Sequence, residues 1–151
     1  MAELTATKQW SVFLSRFTPE IVTLVKASLV RMRKRVPGAV ELVYDNFNAL
    51  VIGFGPTERA SEALFSIAIY PKWANLFFLQ GARLKDPKKI LQGAGSTVRH
   101  LRLSDPKLLD HPDVIDLMER ALAQAIQPID PQARRRMVIR SISPKQRPRR
   151  P

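Results

Sequence analysis

With 151 residues, 45% of them hydrophobic and none of them cysteine, the chain suits a single domain with an ordinary apolar core. It excludes disulfide frameworks, thiolate metal sites and thiol catalysis. No apolar run reaches the ~18 residues of a membrane span, and Met1–Trp10 has no apolar centre of the signal-peptide kind, so a cytoplasmic location with no membrane partner is expected.

In chain order, Trp10, Phe13, Leu14 and Phe17 recur at the spacing of one helical stripe. Thr18-Pro19 restarts the chain as an N-cap followed by proline at the first helical position. Ile21, Val25, Leu29, Met32 and Val36 then mark a second helix that Pro37-Gly38 ends. Residues 41–54 are rich in β-branched and aromatic side chains and predict two strands, with the turn at Asp45-Asn46 or Asn46-Phe47-Asn48. After the polar loop Gly55–Ser61, Leu64–Tyr70 alternates as a strand, and Pro71-Lys72-Trp73 turns into another at Ala74–Gln80. Asp86-Pro87 predicts a short helix closed by Gly93, and Thr97–Leu103 a further strand. Asp110-His111-Pro112-Asp113 caps a last helix whose apolar face includes Val114, Leu117, Met118 and Ala121. Short turns join antiparallel neighbours. The expectation is therefore a two-layer α+β sandwich, an antiparallel sheet of about five strands packed against N- and C-terminal helices.

Charge divides the chain into an α+β domain at 1–126 and a basic extension at 127–151. The formal net charge is +12, and the extension holds eight basic side chains against Asp130 alone. Such asymmetry points to an anionic partner. Within the extension, 137–142 has the composition of an edge strand, whereas Pro144–Pro151 has no apolar residue but proline and is expected to be mobile or extended.

The stretch Leu79–Leu103 resembles the YdhG-like domains of bacteria, a large family of unassigned function. The residues that carry the likeness are Gly81, the Asp86-Pro87 start, Gly93-Ala94-Gly95-Ser96 and Val98-Arg99-His100-Leu101. Element order and Val43-Tyr44-Asp45-Asn46 agree with it, over about residues 7–126. The resemblance implies the same α+β fold and, because a member is described as a frataxin-like iron chaperone, a metal-handling alternative. Hard cations need clustered carboxylates, and the first two helices offer only Glu3 and Glu20 among six Arg and Lys residues between Arg16 and Arg35.

Three groups of residues are candidate sites. Gly93, Gly95, Ser96 and Thr97, with Arg99, have the backbone freedom and donors of an anion-binding loop; the other reading is a helix C-cap and a turn. Tyr44, Asp45, Asn46, Tyr70 and Trp73 lie at adjoining strand ends and suit the lining of a polar pocket, or plain turn chemistry. Arg134, Arg135, Arg136, Arg140, Lys145, Arg147, Arg149 and Arg150 suit nucleic-acid or acidic-partner contact, or a solubilising or self-docking arm. His100 and His111 have no metal-ligand spacing, and no nucleophile–base constellation appears. No catalytic residue, metal or cofactor is expected. The composite expectation is a non-enzymatic binding or accessory protein for an anionic ligand or partner, with nucleic-acid binding through the tail and iron handling as alternatives.

Overall fold

The structure, a computed structural model, describes residues 5–151; Met1–Leu4, and with them Glu3, lie outside the described residues. Helix α1 spans Ala6–Ser15 and α2 Pro19–Arg35, each started by a threonine: Thr5 Oγ1 accepts from the Lys8 N–H and Thr18 Oγ1 from the Ile21 N–H. Strands β1 (Val40–Asp45), β2 (Leu50–Gly55), β3 (Phe65–Ile69), β4 (Ala74–Phe78) and β5 (Arg99–Arg102) form an antiparallel meander. Helix α3 (Pro112–Gln124) starts at His111, whose Nδ1 accepts from the Asp113 N–H. It carries the chain back so that β6 (Arg136–Ile142) joins beside β1 in the parallel sense, and the order is β5-β4-β3-β2-β1-β6. The sheet is therefore mixed and six-stranded rather than antiparallel with about five. A helical crossover is the connection that parallel pairing requires, and α3 supplies it.

One face of this sheet carries the core. Phe13 and Phe17 at the first helix, Val25 and Met32 of α2 and Leu117 of α3 are buried in one cluster with Val43, Ile52, Phe65, Ile67 and Leu76 of the strands. The result is the two-layer α+β arrangement. Among the described residues, no helix is long and apolar enough to cross a membrane.

Two carboxylates interrupt this apolar face. Glu41, Val43 and Asp45 pair with Phe54, Ile52 and Leu50 and so share the covered side of β1. Glu41 is fully buried, and takes two hydrogen bonds of 2.9 Å from Arg33 and one of 2.9 Å from Arg135. Asp45 is met by Arg149 at 2.9 Å and by Arg16 at 3.4 Å. Buried carboxylates are tolerable only when paired and hydrogen-bonded, so the arginines are structural.

This corrects the expectation for Pro144–Pro151. The segment wraps the β1–β2 turn: the Ser143 N–H donates to the Asp45 carbonyl, Gln146 Nε2 to the same oxygen, and the Arg147 N–H to the Phe47 carbonyl. Arg149 is itself buried and lies over the Phe17 ring. Lacking apolar side chains, the tail is held by charge and backbone bonds instead. Gly38, at φ +81°, lets the Asp130 carbonyl approach where a Cβ would collide with it.

The helix expected at 86–93 is also absent. Both Asp86 carboxylate oxygens accept backbone N–H groups, from Ile90 at 3.1 Å and Leu91 at 2.8 Å, and Lys89 has φ +54°. An Asp side chain that satisfies the backbone locally replaces helical bonds. Gln92 then bridges to His100 at the sheet edge.

Arg149→Ala should lower unfolding stability by about 3–5 kcal/mol, because it leaves Asp45 short of its buried partner. Arg147→Ala, which removes only an exposed guanidinium over Phe47, should cost under ~1 kcal/mol; urea midpoints of the two variants check this. At the far end of α2, Asp110 accepts from Arg31 at 2.8 Å and Arg35 at 3.1 Å. The Arg31 hydrogen bond, opposed by desolvation and reinforced by Arg35, holds its carboxyl below the ordinary value. Its contribution is therefore fully present above the unfolded carboxylate pKa and is lost as pH falls through the lower folded value. Asp110→Asn should shrink the acid-side drop in urea midpoint.

Candidate functional site

The pleat sends alternate residues of each strand to the side that the helices do not cover. The strand registers set these residues in rows. One row runs Val138, Leu42, Gly53, Ser66, Phe77, His100, and the next Ser141, Tyr44, Val51, Ala68, Asn75, Arg102. Tyr70 and Trp73, at the β3–β4 turn, extend the face beyond the second row. None of these positions is acidic.

Part of this face is closed by the chain itself. Residues 56–63 fold back so that the Ala63 backbone packs where a side chain at Gly55 would stand, and Leu42 is fully buried. The remainder is only partly covered, with Ser66 and Ala68 buried among larger neighbours. Tyr44, Tyr70 and Phe77 are half-buried, and Trp73 is exposed. Tyr70 stacks on Trp73 with ring centroids 5.1 Å apart, the Arg102 guanidinium lies 5.0 Å from the Trp73 ring, and Phe77 meets His100 at 5.4 Å. Val51 and Ala68 make a low floor between Tyr44 and these rings. Arg102 has no ion-pair partner among the described residues, so its charge is open to a ligand.

The residues singled out from sequence fall into three places. Tyr44, Tyr70 and Trp73 share the open face, but Asp45 points to the opposite side, as neighbours in a strand must, and is consumed by Arg149 and Arg16. The Asn46 carbonyl accepts from Arg149. The five residues therefore do not line one pocket. The Gly93–Thr97 loop is exposed and borders the open face: a Cβ on Gly93 would come within 3.6 Å of His100 Nδ1. Arg99 lies on the covered side, in register with Phe78, and donates to the Gly95 and Val98 carbonyls. Its cation thus clamps the loop from within, while Ser96 and Thr97 stay exposed.

The tail splits likewise. Arg135, Arg136 and Arg149 are paired with Glu41, Glu58 and Asp45, Arg147 covers Phe47, and Arg150 donates to the Arg16 carbonyl. Arg134, Arg140 and Lys145 are exposed. His111 caps α3. Among the described residues no group of three His, Asp or Glu stands together as a metal site.

A separate cavity of about 350 Å³ lies between the end of α3 and the end of β4, floored by Leu64, Phe78 and Leu84. Its lining carries Arg83 and Glu62, of opposite sign, with Glu62 accepting from Thr57. It offers neither a nucleophile–base pair nor charge of one sign.

Fold and site together define a two-layer α+β protein with one partly open, acid-free, aromatic sheet face. No family model, curated protein or solved structure matches the chain. Sequence reasoning missed Phe77 and Arg102 as members of the face; the alternation in Thr97–Leu103, which puts His100 and Arg102 together, was the available signal. Arg99→Ala should free the Gly95 and Val98 carbonyls and loosen the loop, read as faster amide hydrogen exchange across 93–98 with β1–β3 unchanged.

Proposed function

We propose that this chain is a non-enzymatic binding protein that engages an anionic partner on the open face of its sheet. The observation that carries the reading is Arg102, unpaired and stacked over Trp73 in rows without any carboxylate. A cation held against an aromatic ring keeps its place without an acidic partner, and so is set in advance for an anion. Lys72, exposed in the same turn as Trp73, and the bordering hydroxyls of Ser96 and Thr97 add donors. The likeness to YdhG-like domains stays part of this reading through the Gly81–Leu101 residues that carry it.

The tail is a weaker contact surface than its composition suggests, because Arg135, Arg136 and Arg149 are already engaged by carboxylates of the fold. Iron handling has less support, since the buried Glu41 and Asp45 each face two arginines.

Inorganic polyphosphate serves as the probe, with Trp73 fluorescence as the signal; Trp10 is buried and supplies a steady background. The expected result is saturable quenching that weakens with salt, with affinity reduced roughly tenfold by Arg102→Ala. Equal binding by wild type and Arg102→Ala overturns the assignment to this face.

A further inference from the structure

Resting on that reading, the geometry points to a particular anionic partner: an unpaired stretch of single-stranded nucleic acid, its bases laid on Tyr44 and Phe77 beside the Trp73 ring that Tyr70 and Arg102 already cover. Tyr44 on β1 and Arg102 on β5 lie in the same cross-strand row. Four inter-strand steps of ~4.8 Å set them about 19 Å apart, room for the two or three bases that stacking platforms of this kind take.

Between them lie Val51, the buried Ala68 and the half-buried Asn75. Val51 and Ala68 leave a shallow floor, with Phe77 and His100 at one side and the Tyr70–Trp73 stack at the other. A flat ring system fits such a floor, and every base presents one, so stacking needs no particular sequence. Double-stranded nucleic acid does not meet the requirement, because its base faces are already occupied by neighbouring pairs. Arg102 at one end of the row and the bulge residue Arg140 near the other are placed to meet backbone phosphates. A second copy of this chain is a poor occupant, since two molecules of formal charge +12 would bring arginines against arginines.

The test uses the full chain and three probes compared at equal phosphate concentration: a pyrimidine 12-mer single strand, the same strand paired with its complement, and inorganic polyphosphate. Fluorescence anisotropy and Trp73 quenching are read for wild type, Tyr44→Leu, Phe77→Leu, Arg102→Ala and a double Arg134→Ala, Lys145→Ala variant. The leucine replacements keep apolar cover on the sheet, and circular dichroism verifies folding. The single strand should bind at least tenfold more tightly than duplex or polyphosphate. Phe77→Leu and Tyr44→Leu should each lose roughly tenfold for the single strand and nothing for polyphosphate, whereas Arg102→Ala should weaken both. Equal affinity for single strand and polyphosphate overturns the nucleic-acid inference and leaves the anionic reading standing. Binding of neither probe ends both. Binding that survives both leucine changes and vanishes in the Arg134→Ala, Lys145→Ala variant moves the contact to the tail and overturns the proposal.

Discussion

Two carboxylates buried on the apolar side of a central strand constrain this molecule more than any other feature. Glu41 and Asp45 flank Val43 on the face that receives the helices. A charged carboxylate in that position costs several kcal/mol unless cations meet it with good geometry. The cations come from distant parts of the chain: Arg33 from α2 and Arg135 from the segment before β6 for one, Arg16 from the end of α1 and Arg149 from the last residues for the other. Removing any of these arginines leaves its carboxylate with one cation instead of two, so α1, α2 and the C-terminal segment are tied to β1 by the same requirement.

That requirement also sorts the positive charge. A formal net charge of +12 suggests an arginine-rich arm projecting into solvent, yet Arg149 is buried and Arg135 and Arg136 are paired. Arg102, left without a carboxylate partner among the described residues, lies where helices do not cover the sheet. One-sided packing produces this outcome. Three helices suffice to cover one face, the loop at 56–63 covers part of the other, and the rest keeps its aromatic side chains within reach of solvent. The same loop explains the glycine at 55, since the Ala63 backbone packs where its side chain would stand.

Much of this was legible in the residues. Helical periodicity placed α1, α2 and α3 because each has a single apolar stripe, and Thr18-Pro19 and His111-Pro112 start helices by bonds that reach no further than three residues. The meander was legible for the same reason, its turns being short. Asp86-Pro87 misled, because the same side chain that can cap a helix can instead bond two backbone N–H groups in a loop. Tyr44 and Asp45 were grouped together although adjacent strand residues face opposite ways. Their separation could have been read from alternation, as could the anomaly of Glu41 and Asp45 in step with Val43.

By itself the amino-acid order determined the local elements and the one-sided apolar pattern, because periodicity, caps and turns depend on near neighbours. Only the tertiary structure decided that β6 pairs parallel with β1, that Arg149 is interior while Arg102 is free, and that Phe77, Tyr44 and Trp73 share an open face. Those outcomes turn on which residues meet across more than a hundred positions of chain, as Arg149 and Asp45 do, and an ion pair of that span leaves no periodic trace in sequence.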